Sequence, residues 1–303
     1  MMPLKRWPGK LPVCAEFKKG ERPVRKKLNV EITRPQIGLI QDLVFSQPDF
    51  WFGNSARSLK LNLMKPRGNT PLPVIVWVCG GAWHMLDKNY HAPEMTYLAE
   101  AGFAVASVEY RTTNEAQFPA ALEDVKAAIR FLRANAKRFS LDPDHIGIMG
   151  ESAGAYLSVM AGVTGNIREF DVGENPEYSS AVQAVCDWYG PTDFMDFGKE
   201  NRFSPASPEA LLLGGPADLV SKVTRAATPA TYLSPETPPM LLIHGNQDGT
   251  VPFRQSEILY EQLLANGTPV EFYELEGADH ADRHFVQPQI REIILDFFNR
   301  TLK

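Results

Sequence analysis

The sequence predicts an α/β fold with a mostly parallel sheet and helices on both faces, and three observations carry that expectation. Short apolar runs rich in β-branched residues, such as 74–78 and 104–108, suit strands covered on both sides. Helical stretches with apolar stripes alternate with those runs, the pattern of βαβ crossovers. A glycine-flanked serine, Gly150-Glu151-Ser152-Ala153-Gly154, falls where one strand turns into one helix. The chain has 303 residues, enough for one such domain.

The elements follow in order from Gln41, where the pattern becomes regular. Leu59, Leu61 and Leu63 alternate with Ser58, Lys60 and Asn62, the period-2 signature of a half-buried strand. Pro66, Gly68 and Pro71 mark a turn before the buried run 74–78, and 104–108 is a second such strand. Over 124–139, Val125, Ala128, Ile129 and Leu132 share one helical stripe. Residues 141–144 break it, 146–149 form a short strand and 153–163 read as helix. Residues 181–185, 240–244 and 270–275 are further strands, with Leu259, Leu263 and Leu264 marking the helix between the last two. Ile290, Ile293, Ile294, Phe297 and Phe298 line one face of a final helix. Pro, Gly and Ser interrupt every periodic run over 195–238, which reads as an irregular insertion or lid within the domain 41–303.

Composition narrows the function classes. Hydrophobic residues make up 44% and charged residues 22%, which excludes wholesale disorder. The formal net charge of −5 argues against nucleic acid as the main partner. Nine Lys or Arg against Glu16 and Glu21 give residues 1–27 a strongly basic character, read as a solvated leader or cap segment over 1–40. No run approaches the ~18 apolar residues of a membrane span. Residues 1–20 lack the apolar core of a secretory signal, so the expected location is cytoplasmic. Cys14, Cys79 and Cys186 are too few and scattered for a disulfide scaffold or a cysteine-based metal site.

The chemistry centres on Ser152. A sharp strand-to-helix turn would lift its hydroxyl above the strand's carboxyl end, beside a helix N-terminus that favours developing negative charge. A serine hydroxyl needs a base. Of six histidines, His145 suits a surface turn, and His244 ends a strand where it would brace the next turn. His280 lies in a small-residue loop after 270–275, on the sheet edge that should carry Ser152, with His284 its near rival. Asp248, in the loop after 240–244, is placed to orient the imidazole, ahead of Glu274, Glu276 and Asp279. The order Ser152, Asp248, His280 is that of α/β-hydrolase triads. The loop Cys79-Gly80-Gly81-Ala82-Trp83 follows a buried strand at the same edge. Its glycines let backbone N–H groups point inward, so Gly80 and Gly81 with Ala153 are the expected oxyanion donors. Such a set requires no metal or organic cofactor. Trp51, Phe52, Trp83, Trp188, Tyr189, Phe194 and Phe197 could line a pocket, but none is assigned a role.

The ordered motifs carry a resemblance. They comprise Gly80 to Trp83, Tyr110-Arg111, Phe118-Pro119, Asp124-Val125, Gly150 to Gly154, Gly190 to Asp193, Pro238-Pro239, His244 to Asp248, and Gly277 to His280. From about Gln41 to the C-terminus the chain resembles the α/β-hydrolase esterases related to hormone-sensitive lipase. Within them it is most similar to bacterial acetyl and feruloyl esterases that deacylate plant xylan. That resemblance implies a serine carboxylesterase acting on a small-molecule or oligosaccharide ester. Ser152 would be its nucleophile, Asp248 and His280 its partners, and Gly80, Gly81 and Ala153 its oxyanion donors. Family members usually carry His where this chain has Cys79, which is expected to be a packed small residue and not a second nucleophile. Formylkynurenine formamidases share the Gly-Gly-x-Trp loop and the elbow, so an amide hydrolase is the alternative. A catalytically silent binding module is the remaining one.

Overall fold

A computed structural model describes residues 27–50, 52–200 and 204–303. Most of the basic leader, and Trp51, lie outside the described residues. Residues 27–34 contain no helix or strand, and everything from Pro35 onward forms one unit.

Among the described residues ten strands appear in chain order: β1 (Ile37–Ser46), β2 (Asp49–Phe50), β3 (Ser55–Ala56), β4 (Leu59–Pro66), β5 (Leu72–Val78), β6 (Ala104–Val108), β7 (Leu141–Glu151), β8 (Ala184–Trp188), β9 (Met240–Gly245) and β10 (Val270–Leu275). Between and after them run α1 (Ala92–Glu100), α2 (Ala120–Ala134), α3 (Ala136–Phe139), α4 (Ala153–Val163), α5 (Phe194–Glu200), α6 (Pro208–Leu213), α7 (Ser221–Ala226), α8 (Arg254–Asn266) and α9 (Pro288–Leu302). β2 and β3 make a separate small ribbon. The other eight strands form one sheet in the order β1-β4-β6-β5-β7-β8-β9-β10. β1–β4 and β4–β6 are antiparallel, and every pairing from β6 through β10 is parallel. This is the mostly parallel α/β-hydrolase sheet that the sequence predicted.

Strand periodicity sorts the core into two layers. Val74, Val76, Val78, Ile146, Ile148 and Val185 point to one face, where Leu122, Val125 and Ile129 of α2 and Leu157 of α4 cover them. Ile75, Trp77, Met149, Cys186 and Trp188 point to the other, against Met95 and Leu98 of α1 and Ile294, Phe297 and Phe298 of α9. Both faces are therefore dry, which explains the unbroken apolar runs. Chain order reverses around β5, which has β6 on one side and β7 on the other. Such a switch point opens a crevice at the carboxyl ends of the strands. The loops carrying Gly80, Ser152, Asp248 and His280 all follow strand ends at that edge.

Several boundaries differ from the sequence reading. β1 begins at Ile37, ahead of the expected domain start, and bulges between Ile40 and Leu43 and between Val44 and Ser46 hide its alternation. β8 runs from Ala184 to Trp188, not 181–185, because buried Asp187 belongs to the strand, its carboxylate accepting from Gly190 N at 2.8 Å. An aspartate ended the apolar run in the sequence without ending the strand. α1 carried no signal that was read as helix. The irregular segment contains α5, α6, α7 and a 3-10 turn at Pro229–Tyr232, with no strand among its described residues.

Candidate active site

Ser152 sits at the junction of β7 and α4 with φ 53 and ψ −123, a conformation that side chains rarely adopt. Its flanking glycines are steric requirements. A Cβ on Gly150 would lie 2.4 Å from Gly154 O, and one on Gly154 would lie 2.1 Å from Val78 O. The elbow thus packs backbone against backbone, and the N–H of Ser152 reaches Trp188 O at 2.8 Å to lock it to β8.

His280 Nε2 lies 3.0 Å from Ser152 Oγ, and His280 Nδ1 lies 2.7 Å from Asp248 Oδ2. Residues 128 and 32 positions apart in sequence are brought together by the strand ends. Asp248 is buried. Its Oδ1 accepts from Thr250 N and Val251 N, both at 2.8 Å, and its Oδ2 also faces His244 Nε2 at 3.1 Å. Burial alone would raise this carboxyl's pKa. The hydrogen bonds from His244 and His280 outweigh burial and hold it well below the usual carboxylate range. Asp279 ties the two loops together, its Oδ1 accepting from Gly249 N at 2.9 Å and His280 N at 2.7 Å.

The other candidates stand elsewhere. His284 and His145 bond to Asp282 and Asp142. His84 faces Thr113. Glu274 accepts from Asn246 Nδ2. His244 braces the turn after β9 through Asp248 and Val251 O, as its place at a strand end suggested.

Gly80 is a correction. Its N–H, expected to face an oxyanion, instead donates to Glu151 Oε1 at 2.7 Å. Glu151 is buried, and a buried carboxylate must collect donors. It takes Gly80 N–H, Tyr189 OH at 3.2 Å and the ring of His91, 3.5 Å away. Burial opposes its ionisation, but His91 and Gly80 N–H together keep it below the ordinary range. Gly81 has φ 111, and a Cβ there would meet Met85 O at 2.2 Å. Ala82 and Trp83 follow with φ 55 and 56, so the loop coils tightly beside Ser152. Sequence reading missed Glu151 as the clamp of this loop. An acidic residue at the end of an otherwise apolar strand was the available signal.

Cys79 is buried, and burial, helped by the Glu151 charge, pushes its thiol up to about 12. It is a packed thiol, and Tyr110 OH donates to its carbonyl at 3.0 Å. Among the described residues no group of three or more His, Cys, Asp or Glu is placed to hold a metal ion. No helix among them is long and apolar enough to cross a membrane.

A cavity of about 170 Å³ opens on Ser152, lined by Ala82, Trp83, Ala153, Pro191, Phe197 and Val251 among others. Trp83 is fixed edge-on by Tyr156 at 5.4 Å and by Phe194 at 5.8 Å. Trp188 packs into the core against Trp77, and Tyr189 sits edge-on to the His280 ring at 4.7 Å.

Sheet order, elbow and strand-end loops make this an α/β-hydrolase. The chain matches the BD-FAE family over residues 61–263 and belongs to it. It is 34% identical to Esterase LipC of Mycobacterium tuberculosis over 214 residues, 69% of this chain and 53% of that one. It is 31% identical to Esterase LipQ of the same organism over 241 residues, 77% of this chain and 56% of that one. The chain thus spans about half the length of the curated relatives it matches. Among solved structures, a bifunctional GH43-CE protein from Bacteroides eggerthii superposes with TM-score 0.77 and 33% identity, over 88% of this chain and 35% of that one. A truncated carbohydrate esterase from gut microbiota gives 0.77 and 28%, over 87% and 96%.

Proposed function

We propose that this chain is a serine carboxylesterase that removes short acyl groups through an acyl-enzyme. The observation that carries the reading is the unbroken contact from Ser152 Oγ to His280 Nε2 and from His280 Nδ1 to Asp248, with distances of 3.0 and 2.7 Å. His280 Nε2 takes the hydroxyl proton as Ser152 Oγ bonds the ester carbonyl carbon. The resulting oxyanion rests on the N–H groups of Gly81, Ala82 and Ala153, with Ala82 taking the place first expected for Gly80. Collapse of the intermediate breaks the bond to the alcohol, which leaves with the proton from His280. Water, deprotonated by the same imidazole, then releases the acid. Esterase names among the relatives support the same reading.

Cavity size supports a short acyl group. The 170 Å³ at Ser152 is close to the ~150 Å³ void that admits a benzene, so acetate through butyrate fits and octanoate does not. Acetyl groups on plant xylan are the proposed physiological esters, a choice supported by the carbohydrate esterase among the structural relatives, whereas a feruloyl group would have to extend beyond the cavity. The test is a series of p-nitrophenyl esters from acetate to octanoate, with methyl ferulate and acetylated xylan, on the wild-type chain and Ser152→Ala. Turnover should peak at the short end and vanish in the variant. Full activity in a folded Ser152→Ala protein would overturn the mechanism, and a long-chain preference would overturn the substrate class.

A further inference from the structure

The triad aspartate has a second histidine. Asp248 Oδ2 faces His280 Nδ1 at 2.7 Å and His244 Nε2 at 3.1 Å. The same His244 nitrogen lies 3.0 Å from Val251 O. A carboxylate oxygen and a carbonyl oxygen can only accept, so the hydrogen of His244 resides on Nε2. Its Nδ1, 2.7 Å from Ser256 Oγ on α8, is then an acceptor for the serine hydroxyl. His244 and Ser256 are both fully buried. An apolar pair could fill this space without any polar atom to satisfy, so the arrangement calls for a reason.

We propose that His244, held by Ser256, is a positioning residue for Asp248: it fixes the carboxylate toward His280 and sets the pH at which that imidazole becomes an active base. The proposal rests on the triad reading given above. With two N–H donors on one oxygen, the negative charge of Oδ2 is shared between them. Removing the His244 donor leaves the whole of that charge to His280, favours its cation and frees the carboxylate to rotate. The other groups around the two rings are few. Tyr189 presents its ring to both, and Phe253 packs on His244 at 5.5 Å. Buried Asp187 approaches His244 from β8. Glu274, the register partner of His244 on β10, bonds to Asn246, and the Asp279 carboxylate accepts the backbone N–H of His280.

The experiment measures kcat and KM for p-nitrophenyl acetate from pH 5 to 9 on the full chain, wild type against His244→Leu, His244→Gln and Ser256→Ala. In His244→Leu the acid limb of kcat/KM should move up by about half a pH unit or more, and kcat should fall roughly ten-fold with KM little changed. His244→Gln keeps an amide N–H toward Oδ2 and should recover most of both. Ser256→Ala should shift the limb the same way by less, and it decides the matter if His244→Leu does not fold. An unmoved acid limb in folded variants would overturn the proposal, as would a loss that glutamine does not rescue. Each protein is also treated with a fluorophosphonate probe. Labelling at Ser152 with an unmoved profile sinks only this proposal, whereas a wild-type chain that does not label at Ser152 sinks the triad reading with it.

Discussion

A single carboxylate, Glu151, takes one backbone hydrogen of the loop proposed to hold the oxyanion. It occupies the variable position of the elbow, next to Ser152, and by holding Gly80 N–H at 2.7 Å it anchors the loop proposed to bear the oxyanion. Glu151→Ala leaves that buried N–H without its acceptor and releases the loop. We expect kcat to fall by about 10²-fold, on the scale of a lost oxyanion donor, while near-ultraviolet circular dichroism stays native. An unchanged kcat would mean the loop holds its shape unaided. At this scale much was legible beforehand. That Ser152, Asp248 and His280 would meet could be anticipated because their residue types and chain order are chemically restrictive. The allocation of Gly80 N–H was not legible, since every residue but proline has one and only the fold says what faces it.

Elements were legible in proportion to their periodicity. The last helix, with apolar residues on one stripe, appears as Pro288–Leu302, whereas β8 was displaced by three residues because its one charged member, Asp187, is buried. The weakest reading was the segment 195–238, where short helices replace any repeat. That segment nonetheless supplies Phe197, whose side chain in α5 walls the cavity at Ser152. Truncating it to alanine removes most of a ring from that wall. Phe197→Ala should raise kcat/KM for octanoate relative to acetate by about ten-fold or more, an amount set by the apolar area a longer chain would then bury. The ratio of the two rates in wild type and variant checks this, and an unchanged ratio would place the acyl group elsewhere.

Across the whole molecule, burying carboxylates beside the site makes stability depend on pH in two opposite senses. Asp248 and Glu151 ionise more readily folded than unfolded, so their contribution is full above about pH 4–5, where free carboxylates are charged, and is lost as pH falls further. Asp187 works the other way. Burial pushes it up to about 6, so the folded chain holds a proton that the unfolded chain has released from about pH 4 upward. Stability from this group falls between about pH 4 and 6 and is flat beyond. Asp187→Asn keeps an acceptor for Gly190 N–H and removes the titration. Urea unfolding should show the variant gaining on wild type by on the order of 2 kcal/mol between pH 4 and pH 7, and a constant gap would contradict the assignment. The parallel sheet itself was foreseeable from alternating strands and helices. Its antiparallel edge was not, because β1 is bulged and half-exposed.

The account stands on one hydroxyl made reactive by one imidazole, and covalent labelling addresses that atom directly. Stoichiometric reaction with a fluorophosphonate, followed by peptide mass spectrometry, should place one adduct per chain on the peptide containing Ser152, with activity lost in parallel. Adduct formation should slow by at least about 10³-fold in His280→Ala, in line with the loss of a triad base. An unlabelled chain that still cleaves p-nitrophenyl acetate, or an adduct on any other residue, would contradict it.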